Sequence, residues 1–218
     1  MCGRFALNAT EQEIVSHFQL KRGFYMRPRY NIAPTQQIPV ILNQGQQVDF
    51  CRWGFIPAWQ NKQEEIPAGH INARFESLAE KPTFKKAFFT QRCLIPASGY
   101  YEWKTINAKK QPFLVQQLAK PLFAFAGLWS AWISAKGEMI MSCAIITIPA
   151  PSFLSKLHER MPLIISPEKY SFWLAKENIP DQYLSLNSEI SPENFRIFPV
   201  SSRMNHPQFE GRECIQSL

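Results

Sequence analysis

The sequence predicts one α+β domain over residues 1–218, strand-rich, with a β-barrel-like mixed core flanked by short helices. Three observations lead there. The chain is 45% hydrophobic and carries 17 Phe and 6 Trp, enough apolar surface to bury a sizeable core at 218 residues. Apolar runs of strand length recur along the chain and are broken by turn residues rather than by long helical stretches. No repeat, low-complexity tract or linker divides it, and its 17 prolines are scattered throughout.

The elements follow in order. Phe5 and Leu7 alternate as the inward face of a docked strand would, although only a short arm precedes the first helix. Thr10 stands three residues before Glu13, a capping-box pattern, and Ile14, Val15 and Phe18 mark one face of a helix that ends before Gly23. Asn31 precedes Ile-Ala-Pro, a stretch that favours a turn. "IPVILN" and "QVDFCRWGF" read as strands around a turn at residues 43–45, and "FKKAFFTQ" as a short helix. "RCLIPASGYYEWK" reads as a strand interrupted at Pro-Ala-Ser-Gly, paired in a hairpin with "PFLVQQL". "LFAFAGLWSAWI" and "EMIMSCAIITI" are two further strands around Lys136-Gly137. "PSFLSKLHERMP" suggests a helical turn closed by Pro162; "LIIS" a short strand; "PEKYSFWLA" a helix opened by Pro167; and "FRIFPVSS" a last strand.

Charge is distributed unevenly. Residues 1–110 hold 15 Lys and Arg against 8 Asp and Glu, while residues 111–218 hold 9 of each, so the whole net charge of +7 lies in the first half. Such a surface suits a polyanion; a plain solubility charge is the alternative. The five cysteines are widely spaced and form no zinc-type pair, so reduced thiols are expected, with Cys93 and Cys143 as core residues. "HERMP" lacks the second His of a metalloprotease helix, and neither a metal nor a cofactor is called for. No apolar run approaches the roughly 18 residues that span a bilayer, and no signal peptide is visible. A cytoplasmic monomer, nucleoid-associated in a bacterium, is expected.

Several residues could carry chemistry. With Met1 removed, Cys2 would bear both a thiol, near pKa 8.5 in reference peptides, and an α-amine near about 7.7–8.0. The amine could attack an aldehyde to give a Schiff base, and the thiol could close on the imine carbon to form a five-membered thiazolidine. A lone cysteine taken without context is more often an incidental buried or surface residue. Asn72 and Arg74, two apart in "INAR", share one side if extended, and suit an oxygen-rich ligand as well as a hydrogen-bonded loop. In "SGYYEWK" Glu102 shares a strand face with Tyr100 and Lys104, while Tyr101 and Trp103 face the other way. Burial would raise its pKa and fit it for proton transfer; a surface glutamate paired with Lys104 is the alternative. His158 lies just before Pro162 with Glu159 and Arg160 beside it, in the range for acid–base work near neutrality or in a structural role. Among the aromatics of "RWGFIPAWQNK", the "PAW" turn makes Trp59 the candidate for stacking on an unpaired base.

"MCGRF", "RYNIAP", "WGFIPAW", "INARFES", "RCLIPASGYYEWK", "FAGLW", "LHERMPLII" and "PVSSRMNHPQFEGRECI" occur in this order, and together the set resembles the SRAP (SOS response-associated peptidase) family over essentially the whole chain. The resemblance implies an enzyme of the DNA damage response. It would bind single-stranded DNA and crosslink itself to abasic sites by Schiff-base, lyase-like chemistry, ending in a thiazolidine on Cys2 that shields the site. It implies Cys2 as nucleophile with Asn72, Glu102 and His158 in support, and Arg4 and Arg74 as phosphate contacts; Trp59, Trp103, Lys85 and Lys86 are further candidate DNA contacts, with Lys81 as an alternative among the lysines. Two other readings stand beside it. One is a cysteine peptidase, or an enzyme that removes its own Met1, with Cys2, His158 and Glu102 as nucleophile, base and orienter. The other is a non-catalytic single-strand-binding module.

Overall fold

The computed structural model describes residues 2–42, 47–186 and 190–218. Five strands close into a barrel: β3 (Gln37–Leu42), β4 (Gln47–Trp53), β6 (Arg92–Ala97), β9 (Phe123–Ile133) and β10 (Met139–Pro149). The ring runs β10–β4–β3–β6–β9 and returns to β10. Its pairings are antiparallel except β4 with β10, so the barrel is mixed. β6 is buried along its whole length and the centres of β9 and β10 nearly so, which explains why they read as continuous apolar runs rather than alternating ones. Two short strands, β11 (Arg160–Pro162) and β12 (Ile164–Ile165), and β5 (Asn72–Arg74) extend the barrel sheet.

A second sheet of five strands lies in the order β13–β8–β7–β1–β2. It contains β1 (Phe5–Leu7), β2 (Arg29–Ile32), β7 (Gly99–Ile106), β8 (Lys109–Gln117) and β13 (Phe195–Pro199). The chain passes from barrel to sheet at Ser98. What reads in sequence as one interrupted strand is therefore two strands in different sheets, β6 and β7. Ser98 is held at the crossing, its N–H donating to the Ala6 carbonyl at 2.7 Å and its Oγ accepting from the Asn8 N–H at 3.1 Å. Gly99 follows because the strands approach closely there: a Cβ would meet Leu114 Cδ1 at 2.9 Å and the Val115 carbonyl at 3.0 Å.

The N-terminal arm is docked on both faces. Phe5 and Leu7 join the large core between the sheets, with Phe5 edge-on to Trp53 and Phe125; Ala6 joins a smaller cluster with Tyr101, Leu114, Phe198 and Met204. Cys51, Cys93 and Cys143 are fully buried. The capping box forms with both its arms, and helix α1 runs Glu11–Phe18. Helix α2 (Pro82–Thr90) buries Phe84, Ala87 and Phe88 and exposes Lys85 and Lys86. The turn expected at residues 43–45 lies outside the described residues.

Two expectations change and a third is refined. Asn31 is not in the turn but in β2; the turn follows at Pro34 and Thr35. The helical turn expected in "PSFLSKLHERMP" forms as α3 (Ser152–Ser155) but is not closed by Pro162, because the end of β10 recruits residues 160–162 as a strand partner (Thr147 with Pro162, Pro149 with Arg160). "PEKYSFWLA" forms a 3-10 turn at Pro167–Lys169 running into α4 (Tyr170–Leu174).

Candidate functional site

The arm's pairing continues beyond β1, since the Tyr101 N–H donates to the Arg4 carbonyl at 3.0 Å. Carried on in the same register, this run would set Gly3 opposite Glu102, and the Cys2 thiol lies near enough to that carboxylate to feel its charge. Cys2 is fully buried, and its thiol donates to the Arg4 carbonyl at 3.6 Å. Burial pushes that thiol well above its ordinary pKa, and the Glu102 carboxylate pushes the same way.

Asn72 reaches Cys2 from the barrel. Its strand β5 pairs parallel with β10, with Asn72 opposite Ile145 and Arg74 opposite Thr147. From there Asn72 Nδ2 donates to the Cys2 carbonyl at 2.9 Å. Its Oδ1 is buried and has no hydrogen-bond partner among the described residues.

Glu102 lies on the face of β7 that Tyr100 shares, and only 4% of it is exposed. Burial raises its carboxyl to about 7, while the positive charge at the chain's amino terminus pulls it down. A group so placed gives and takes protons at neutral pH. Lys104, its expected surface partner, is exposed at the far end of the strand.

His158 sits in the link into β11, half-buried. Burial lowers its pKa, and the amino-terminal charge acts in the same direction. The Arg160 N–H donates to Nδ1 at 2.9 Å, which makes Nδ1 the acceptor and leaves the neutral ring's proton on Nε2. Arg160 is itself fixed, bidentate to Glu76 at 2.7 and 2.9 Å and donating to the Thr147 carbonyl at 2.6 Å. Thr147 is also the register partner of Arg74, so the end of β10 gathers Asn72, Arg74 and the His158–Arg160 link. Arg74 is exposed there.

The other named residues lie in different settings. Arg4 is half-buried and engaged: its guanidinium donates to Asn31 Oδ1 at 2.7 Å and to the carbonyls of Met204 and Asn205 at 3.0 and 3.3 Å. Asn31, fully buried, completes that knot by donating to the carbonyls of Met204, His206 and Phe209. Trp103 packs on the smaller cluster, and its Nε1 donates to Asn205 Oδ1 at 2.7 Å. In "RWGFIPAW" Trp53 and Phe55 are core, whereas Trp59 is 64% exposed. Its loop crosses itself at two glycines: a Cβ on Gly69, at φ +73°, would lie 2.3 Å from the Gly54 carbonyl oxygen. Lys85 and Lys86 face solvent on α2. Asn31 as a structural hub and the Glu76–Arg160 pair were not read from sequence. A polar residue between Tyr30 and Ile32 was the only local signal for the first; nothing local marks the second, because its partners are 84 residues apart.

Among the described residues no three or more His, Cys, Asp or Glu side chains are placed to hold a metal ion. No helix among them is long and apolar enough to cross a membrane.

The family model for SOS response associated peptidase (SRAP) matches residues 1–207. The abasic site processing protein YoqW of Bacillus subtilis (strain 168) is 39% identical over 225 residues, covering 100% of both chains. The abasic site processing protein YedK of Escherichia coli (strain K12) is 29% identical over 229 residues, again covering 100% of both. The abasic site processing protein HMCES of Xenopus tropicalis is 28% identical over 225 residues, covering 88% of this chain and 67% of its own. A crystal structure of a Bacteroides thetaiotaomicron protein superposes with a TM-score of 0.87 at 22% identity, over 100% of both chains, and shares the fold.

Proposed function

The chain belongs to the SOS response associated peptidase (SRAP) family, and from that premise we propose that it processes abasic sites in DNA by forming a covalent adduct through Cys2. The observation that carries this reading is the placement of Cys2 between two helpers. Asn72 grips its carbonyl at 2.9 Å, and a buried carboxyl that titrates at about 7 stands beside it.

The proposed sequence begins when Met1 is removed and the α-amine of Cys2 is free. The ring-opened abasic sugar presents an aldehyde at C1′. The amine adds to that carbon, and the carbinolamine loses one water to give a Schiff base. The thiol then adds across the C=N bond, its proton passing to the nitrogen, and the thiazolidine closes. Sugar and residue combine with the loss of one water and no change of oxidation state. His158, with its proton on Nε2, suits the sugar's ring oxygen and helps it open. Glu102 titrates where both halves of a proton relay are available: as the acid it protonates the departing hydroxyl, and as the base it takes the thiol proton. Asn72 fixes the carbonyl next to the amine and so aims the nucleophile. A single strand is the substrate this requires, because a duplex would hide the aldehyde. The surplus cations of the first half supply backbone contacts, with Arg74, Lys85 and Lys86 exposed and Trp59 offering a face for a base.

The thiol's environment weighs against the peptidase alternative. A cysteine peptidase needs a thiolate, and here burial and a neighbouring carboxylate keep the thiol protonated. An amine-first reaction has no such need.

The test is a denaturing gel. Protein lacking Met1, incubated with a single strand carrying one abasic site, should give a shifted band that survives without borohydride and disappears in Cys2→Ala. No shifted band from fully trimmed wild-type protein would sink the proposal.

A further inference from the structure

One strongly basic segment plays no part in the chemistry above. The loop joining α1 to β2 contains Lys21, Arg22 and Arg27 with no acidic residue between them, and all three are exposed. In their midst stands Tyr25, 74% exposed. Arg27 Nε donates to the Tyr25 Oη at 2.8 Å, which holds guanidinium and ring in one assembly. Phe50, 42% exposed on β4, lies beside the loop, 6.2 Å from the Phe24 ring and edge-on to it.

The loop is anchored at both ends. Leu20 is buried, and the Phe24 N–H donates to Glu11 Oε1 at 3.0 Å. Arg29 is occupied elsewhere, donating to the Gln37 carbonyl at 3.2 Å and pairing with Glu210 at 3.4 Å. The nearby carboxylates of Glu11 and Glu210 are therefore engaged with the loop's own ends, and Asp49 is the remaining acid next to Phe50. An exposed ring framed by cations matches the stacking platform and backbone contacts that single strands require. A solubility charge alone would not leave a large aromatic bare among guanidinium groups.

The position relative to Cys2 follows from the sheet. Leu7 is the register partner of Arg29. Five residues separate Cys2 from Leu7, which at roughly 3.3 Å each is about 17 Å. That is on the order of five stacked nucleotides at about 3.4 Å per nucleotide.

We propose that this loop is a second single-strand contact, in which Tyr25 stacks on a base of the flanking strand and Lys21, Arg22 and Arg27 hold its phosphates. The inference rests on the reading that the chain binds single-stranded DNA, but not on the covalent step. It lengthens the bound strand beyond the abasic site and gives affinity to undamaged flanking sequence.

The test separates a short strand from a long one. With about two nucleotides on either side of a central abasic site, a strand of about five reaches Cys2 but not the loop; one of about 25 reaches both. Binding of an undamaged strand of about 25 nucleotides is measured by fluorescence anisotropy across a salt series. Tyr25→Ala should weaken it roughly tenfold, and Tyr25→Phe, which keeps the ring, should not. The triple variant Lys21→Ala, Arg22→Ala, Arg27→Ala should lower the slope of log K against log salt by about 2, at about 0.7 per phosphate contact. Adduct formation on the short abasic strand should match wild type in every variant. Unchanged affinity and slope on the long strand would overturn the proposal, as would equal losses on long and short strands, or capture of anionic vesicles in place of DNA. If wild type forms no adduct with the short strand, the covalent reading fails while long-strand binding still decides this one.

Discussion

Replacing Glu102 by Gln is expected to stabilise the fold at alkaline pH while removing most of the chemistry. The magnitude follows from the carboxyl's surroundings. Burial lifts it from 4.5 to about 7, and at roughly 1.4 kcal/mol per pK unit this is worth about 3 kcal/mol. The protonated form is the one the fold prefers. Stability from this group is thus present in full below its unfolded value and is lost as pH rises through about 7, where a charge must be kept in a site only 4% exposed. Most of the loss, roughly 2–3 kcal/mol, falls between pH 5 and pH 8. Glutamine has nearly the same shape and no charge, so it escapes the loss. Urea denaturation of wild type and Glu102→Gln at both pH values should show the variant gaining about 2–3 kcal/mol on wild type between pH 5 and pH 8. Comparing the two proteins cancels the histidines, which titrate in both. The rate of adduct formation should meanwhile fall by roughly 10²–10⁴, the range for a lost acid–base group. A variant whose stability difference from wild type is the same at both pH values would refute the placement of a strained, proton-hungry carboxyl at this position.

Four further outcomes are expected. Cys2→Ser should leave an amine that still forms a Schiff base, so a band should appear on a denaturing gel only after borohydride reduction; a stable adduct without reductant would count against thiazolidine closure. Asn72→Ala removes the 2.9 Å grip on the Cys2 carbonyl and should slow single-turnover adduct formation at least tenfold with little change in DNA affinity, since it loosens aim rather than binding. Thr10→Ala breaks the capping box at α1 and should cost about 1 kcal/mol, or roughly 2–4 °C in a melting scan. Asn31→Ala removes one acceptor from Arg4 and one donor from each of three backbone carbonyls, of which the Met204 carbonyl keeps Arg4. At roughly 1–3 kcal/mol for each group left unsatisfied, it should cost about 3 kcal/mol or more by chemical denaturation.

The strands were legible because their cause is local. Apolar runs such as "EMIMSCAIITI" announce burial on both faces, and the Thr10–Glu13 spacing announces its own helix. The alternation in "SGYYEWK" also gave the correct faces: Tyr100 lies in the large core, while Tyr101 and Trp103 lie with the smaller cluster. What stayed hidden depends on partners distant in sequence. Nothing in "LHERMP" reveals that β10 will draw residues 160–162 into a strand, because the deciding hydrogen bonds come from Thr147–Pro149. Nothing in "RYNIAP" reveals that Asn31 will be saturated by Arg4 on one side and by residues 204–209 on the other. The site shows the same division. Residue types and their order named Cys2, Asn72, Glu102 and His158, but the tautomer of His158 and the bidentate clamp on Arg160 are tertiary facts.

A buried thiol with a raised pKa looks like a poor choice for a nucleophile, and the proposed order of steps explains why it is not. While the site is empty, the Cys2 thiol is fully covered and is held protonated by burial and by Glu102. Such a thiol resists oxidants and stray electrophiles, whose attack needs a thiolate and access. The amine commits to the aldehyde first. The iminium it forms is a cation placed next to the thiol and the Glu102 carboxyl. The amino-terminal ammonium already puts a positive charge there, which favours both the thiolate and the ionised carboxylate, and the iminium keeps it. The imine carbon is then the electrophile on which the neighbouring thiol closes. Under this logic the burial of Cys2 is part of the chemistry, and a change that merely exposed the thiol would make it less selective rather than faster.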